Sequence, residues 1–218
     1  MAGKFIKPSE IERIATEVLK KANISSTWEG QIKRVDIDYI IEFVYELSFE
    51  VRNLDSLCDG EHNILAAIYP AKKVIYFNET QTHLFNEKPG LHNFTEAHEL
   101  GHWILHANQH ENETQSLFEG DRILCRGLDG SSNDYKEIQA DMFAGALLMP
   151  LNIIKHAVYA IKRERRVVFP DLYRMSEEFE VTISALTNRV VKLGLIYIKN
   201  GKVYADEPEA RGEGTLFQ

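Results

Sequence analysis

Residues 94–106 read Phe-Thr-Glu-Ala-His-Glu-Leu-Gly-His-Trp-Ile-Leu-His, and the run from His98 to His102 constrains the chain more than any other stretch. Ala97, Trp103, Ile104 and Leu105 surround it and predict a largely apolar helix. On a helix, residues four apart share a face. His98 and His102 can therefore meet at one zinc ion, about 2.0–2.1 Å from each ring nitrogen. Glu99 points about 100° around the axis, so it can reach a water at that ion without ligating it. A buried imidazole pair is costly without a partner, so the motif calls for further ligands elsewhere in the fold.

His106 is the nearest further histidine, but eight residues of helix span about 12 Å, too far for one ion to hold both His98 and His106. His110 fails for the same reason, and His106 reads as a residue supporting the ligands or as a surface residue. Residues 134–150, Asp-Tyr-Lys-Glu-Ile-Gln-Ala-Asp-Met-Phe-Ala-Gly-Ala-Leu-Leu-Met-Pro, offer a better candidate. Glu137 and Asp141 are four apart on an otherwise apolar helix, and two carboxylates on such a face need a cation or donors. Glu137 would be the third ligand, and Asp141 would accept the N–H of a ligand imidazole and fix its tautomer. The alternative is a solvated acidic stripe. Ala140, Ala144 and Gly145 keep this helix slim enough to pack closely on the histidine helix.

The two segments, FTEAHELGHWILH and EIQADMFAGALLMP, resemble the ImmA/IrrE family of metallopeptidases, whose pattern is close to FTxAHELGHxxLH and ExxADxFAxxLLMP. VDIDYIIEF upstream and FEVTISALTNRVVKLGLI downstream extend the similarity over most of residues 8–197. The resemblance implies a zinc-dependent endopeptidase of bacterial or phage origin. Family members typically cleave or inactivate a DNA-binding repressor, often one encoded beside them. It implies His98, His102 and Glu137 as ligands and Glu99 as the catalytic base. Glu96 departs from the pattern, which usually has an apolar residue there; a charge at that position is expected to face solvent.

Composition is compatible with this. The chain has 218 residues, 44% hydrophobic and 27% charged, with a net charge of −8. The negative balance argues against a protein whose main task is gripping nucleic acid. No apolar run approaches the roughly 20 residues of a membrane span, and no apolar signal core follows the N-terminus. Cys58 and Cys125 are too few for a disulfide scaffold. These features predict a cytoplasmic protein with no membrane partner.

Along the chain, Ser9-Glu10-Ile11-Glu12 reads as a capping box opening a helix to about Ala22. Asp36 is expected to cap a second helix with Ile37, Ile40, Ile41, Val44 and Leu47 inward. Ser48–Leu54 has strand character. Residues 64–69 and 74–78 read as a hairpin around Pro70-Ala71-Lys72-Lys73. Its second strand is either an edge strand along the cleft, able to bind an extended substrate, or an ordinary core strand. The polar stretches 108–113 and 128–133 are the expected mobile loops, and Pro150 a helix break. Pro170–Phe179, Ser184–Leu193 and a type I′ hairpin at Asn200-Gly201 outline a winged helix. Its cations, among them Lys162, Arg163, Arg165, Arg166 and Arg189, would suit DNA. Glu177, Glu178 and Glu180 weaken that role, and packing or protein docking is favoured over DNA binding.

The chain is thus expected to be α+β: a mainly helical zincin-like metallopeptidase core with a small antiparallel sheet over 8–160, and a winged-helix-like segment over 161–206. Residues 207–218 form a tail whose end, Gly-Thr-Leu-Phe-Gln, resembles the remnant of a viral 3C-type protease site. In the expected reaction a zinc-bound water attacks a peptide bond, Glu99 moves its proton, and Tyr135, His106 or Arg126 stabilises the oxyanion. Zn2+ is the expected metal, with Mn2+ as the alternative. The expected partner is a protein substrate, a helix-turn-helix repressor or an antitoxin. The rival reading is a non-catalytic, metal-stabilised regulator that binds a partner protein or DNA. A metallo-hydrolase of a small amide is a further alternative.

Overall fold

The structure is a computed structural model that describes residues 6–55, 64–107, 124–127, 135–206, 209 and 211, with the backbone alone for 124–127. The two expected mobile loops and the C-terminal remnant lie outside the described residues. Helix α1 (Pro8–Lys21) buries Ile11, Ala15, Val18 and Leu19, the stripe its periodicity predicts. It starts two residues earlier than a capping box with Ser9 as the cap would place it. Lys7 occupies the cap position without a side-chain bond, and Pro8 fills the first turn. Proline suits that turn because its missing N–H would have had no helical partner.

Asp36 does cap the next helix, its carboxylate accepting from the Tyr39 N–H at 3.1 Å. That helix, α2, is short (Ile37–Tyr39) and widens into one π turn over Ile40–Val44. Ile37, Ile40 and Ile41 point inward, while Tyr39 and Phe43 remain exposed.

Strands β1 (Ser48–Arg52), β2 (Ile64–Tyr69), β3 (Val74–Asn78) and β4 (Leu124–Gly127) form one sheet in the order β1-β3-β2-β4. β2 and β3 are the expected hairpin, with Tyr69 opposite Val74. The turn is completed by Lys73 at φ 54. β4 pairs antiparallel with β2, but β1 runs parallel to β3, from Ser48 beside Val74 to Arg52 beside Asn78. The sheet is therefore mixed, not antiparallel. The helical turn before β1 delivers the chain to the far side of β3 in β3's own direction. β3 is buried along its whole length and lies inside the sheet. It is the core strand of the two alternatives, and β1 and β4 are the edges.

Helix α3 (Thr82–Glu87) leads into α4 (Pro89–His106), which crosses β2 and packs along α5 (Tyr135–Leu148). Pro150 then starts α6 (Leu151–Glu164). α7 (Phe169–Phe179), α8 (Ile183–Lys192) and the hairpin β5 (Tyr197–Lys199) and β6 (Lys202–Tyr204) follow in the expected order. Asn200 and Gly201 both have positive φ, as a type I′ turn needs.

These last elements share the core. Leu172, Met175, Phe179, Leu186, Val190 and Ile196 belong to the same apolar cluster as Ile11, Ile75, Leu100 and Phe143. Polar contacts pin the α7–α8 turn to α4 and the loop before α2. The Asn93 amide donates to the Glu180 carbonyl at 3.0 Å and to its carboxylate at 2.9 Å, and Arg34 pairs with that carboxylate at 2.6 Å. Gly90 is required here, because a Cβ would come within 2.5 Å of the Val181 carbonyl carbon. Arg189 forms an ion pair with Glu12 of α1 and donates to the Met149 carbonyl.

Candidate metal centre

The close approach of α4 and α5 builds the site. At Gly101 an added Cβ would lie 3.1 Å from the Phe143 ring and 3.2 Å from the Ala140 Cα. A side chain there would push the helices apart. With glycine, the His98–His102 face of α4 meets the Glu137–Asp141 face of α5.

His98 Nε2 and His102 Nε2 are 2.9 Å apart. One Glu137 oxygen is 3.1 Å from His98 Nε2, and the other is 3.2 Å from His102 Nε2. These three residues form the one group among the described residues with the donor convergence a metal ion needs. A tetrahedral ion with bonds of about 2.0–2.1 Å separates its donors by about 3.3 Å, slightly more than the spacing seen. His98 Nδ1–H donates to Asp141 at 2.9 Å, which turns its Nε2 toward the other two donors. His102 and its Nδ1 are buried, and that atom has no hydrogen-bond partner among the described residues. Its ring is held by packing, edge-on to His98 at 4.6 Å between centroids and tilted to His106 at 5.6 Å.

The local charges favour a cation at this point. Burial opposes protonation of His98, but hydrogen bonds to Asp141 and Glu137, with the nearby Glu99, outweigh it and raise its pKa to about 9. Burial lowers His102 to about 4, against the pull of Glu137. Burial also works against the Glu137 charge, yet its bonds to His102 and His98 hold it at about 2. Two nitrogens and one carboxylate oxygen suit zinc, and an ion binding here must displace the His98 proton.

Glu99 is fully buried beside the donors. Its Oε2 accepts the Ile68 N–H at 2.9 Å, a bond from β2 that sequence reasoning did not foresee. No local pattern signals such a contact, since it joins residues 31 apart.

The remaining site residues divide. His106 is buried, and its Nε2 donates to the Lys136 carbonyl at 3.3 Å. It braces the start of α5 one residue before Glu137, which places it with the supporting residues. Tyr135 opens α5 and is partly exposed, and no bond among the described residues joins it to the donors. The side chain of Arg126 lies outside the described residues.

Glu96 corrects an expectation. It does not face solvent: it is 1% exposed, with Oε1 3.3 Å from His92 Nε2. Burial, together with Asp38, Glu42 and Asp36, pushes its carboxyl group up to about 10, so it is neutral near pH 7. The reason is tertiary, because α2 lies across this side of α4. The spacing of His92 and Glu96, four apart, was the available signal.

Two helices converging two histidines and a glutamate, with a further buried glutamate beside them, form a helical core laid on a small sheet, with one donor group that could hold a metal ion. The chain belongs to the Peptidase M78 family, whose sequence model, described as the IrrE N-terminal-like domain, matches residues 42–191. This is a metallopeptidase family, and the resemblance read from the paired motifs is borne out. A comparison with curated proteins finds no match. Among the described residues no single helix is long and apolar enough to cross a membrane.

Proposed function

We propose that this chain is a zinc-dependent endopeptidase that cleaves a regulatory protein, a DNA-binding repressor in particular. The observation that carries the reading is the meeting of His98, His102 and Glu137 at 2.9–3.2 Å with Glu99 buried beside them. His98, His102 and Glu137 would hold the ion, with Asp141 fixing the His98 tautomer. A bound zinc ion supplies Lewis-acid polarisation of the scissile carbonyl and acidifies a water molecule. Glu99 takes the proton of the attacking water and delivers it to the leaving nitrogen. The Ile68 N–H holds one Glu99 oxygen, fixing the direction of that carboxylate against β2.

A structural zinc typically has four protein ligands, and a catalytic one three. The three-donor group therefore favours catalysis over the metal-stabilised regulator. The winged-helix-like segment fits packing better than DNA binding, because Arg189 is engaged by Glu12 and Met149 and Glu180 is engaged by Arg34 and Asn93.

The test is incubation of the zinc-loaded protein with the repressor-like product encoded beside it, with and without chelator. A fragment formed only in the absence of chelator, and not by the Glu99→Gln variant, is the expected outcome. Intact substrate in every arm, with zinc bound at one equivalent, would leave the regulator reading standing instead.

A further inference from the structure

The side of α4 opposite the metal donors lies beneath a second distinctive surface. Between Val35 and Val51 the chain has five acids, Asp36, Asp38, Glu42, Glu46 and Glu50, and no lysine or arginine. All five are exposed. Among them Tyr39 and Phe43 stack, with ring centroids 5.7 Å apart and planes 23° apart. Tyr39 is 41% exposed and Phe43 73%, the largest value among the described large apolar side chains. Exposed apolar groups rimmed by charge are characteristic of interaction sites. Beneath them Glu96 is buried, next to Asp38 of this face.

Among the described residues, the cations near this face are mostly bound elsewhere, although Arg34 also acts at longer range on Asp36 and Asp38. Arg34 is bound to Glu180, Lys33 to Glu29, and Lys21 to the Val44 carbonyl and the Tyr45 ring. Lys73 approaches Glu46 only, at 3.9 Å.

We propose that the Tyr39–Phe43 face docks a basic polypeptide segment in which lysine or arginine alternates with apolar side chains. The acids attract such a segment, and the aromatic faces accept both its guanidinium or ammonium groups and its apolar side chains. This rests on the reading of the chain as a peptidase of a DNA-binding protein, since DNA-contacting elements are rich in lysine and arginine. Glu96 and His98 are two positions apart, about 160° around the helix, so the docking face and the metal donors lie on opposite sides of α4. The substrate would be gripped at a distance from the bond that is cut.

A second copy of the chain is the less favoured occupant. The basic face that could complement it, around Tyr159, Val168 and Tyr173, has several of its cations already in use: Arg165 binds Asp171, Arg166 binds Glu209, and Lys162 binds the Ala205 carbonyl.

The test measures fluorescence anisotropy of a labelled (Lys-Leu-Arg)4 peptide with the full chain carrying Glu99→Gln, so that no cleavage is needed. Tyr39→Ala with Phe43→Ala, and separately Glu42→Gln with Glu46→Gln, should each weaken Kd by at least about tenfold, with stronger binding at low salt. Tyr173→Ala with Glu177→Gln, on the exposed face of α7, should change it less than about twofold. A (Glu-Leu-Glu)4 peptide should not bind. Equal loss in the control pair, or no loss in either test pair, overturns the proposal. So does a dimer in sedimentation that Phe43→Ala dissolves, which makes the face a self-interface. Docking that succeeds while the repressor stays uncut refutes the peptidase reading but not the surface.

Discussion

The two sides of α4 treat buried charge in opposite ways. His98 and Glu96 are two residues apart, and each is 1% exposed. On the His98 side, α5 supplies Glu137 and Asp141, and histidines and carboxylates alternate around one point. On the Glu96 side, α2 supplies more acid, and the buried carboxyl group responds by holding its proton. The same depth in the same helix thus gives a donor cluster that could hold a cation on one side and a neutral acid on the other. Burial sets the need for compensation, and the facing element decides its form.

The hardest test of this contrast is Glu99→Gln on the metal side. It should leave zinc content at one equivalent while lowering cleavage by about 10²–10⁴-fold, measured as single-turnover rate. A variant that still cuts at the original rate removes Glu99 as the base.

Glu96→Gln probes the other side. The folded pKa of about 10 lies above the ordinary value of 4.5. The favourable contribution is therefore complete below about pH 4.5 and is lost as pH rises toward 10. Gln keeps the shape without the charge, so it should stabilise the protein by about 2–3 kcal/mol at pH 7 and flatten this part of the pH profile. Urea unfolding at pH 5, 7 and 9 measures it, and parallel wild-type and variant curves would show that Glu96 is ionised in the fold.

Asp141→Asn should weaken zinc affinity by about 10–100-fold with little change in unfolding free energy of the metal-free chain. Competition with a chromogenic chelator reads this. Unchanged affinity would assign the His98 tautomer to something other than Asp141.

The smallest effect is expected from Gly101→Ala. Crowding against Phe143 and Ala140 is offset by better helix propensity, leaving a net loss of about 1 kcal/mol. The loss should be accompanied by weaker zinc binding, because the added methyl separates α4 from α5. Full zinc affinity in this variant would mean that the helix spacing has slack.

Local pattern alone was enough to read the paired helices and the side chains they bring together. His98, His102, Glu137 and Asp141 are legible because a four-residue spacing places two groups on one helical face whatever the rest of the chain does. The Asp36 cap, the 64–78 hairpin and the Asn200-Gly201 turn were readable for the same local reason. Tertiary structure alone decided the rest. The parallel β1–β3 pairing, the interior place of β3 and the Ile68–Glu99 bond each depend on which distant element arrives alongside. The burial of Glu96 is the clearest case. A glutamate on a helix has a direction fixed by its position in the chain, but whether that direction leads to water or to α2 is set by packing, and with it the charge the residue carries.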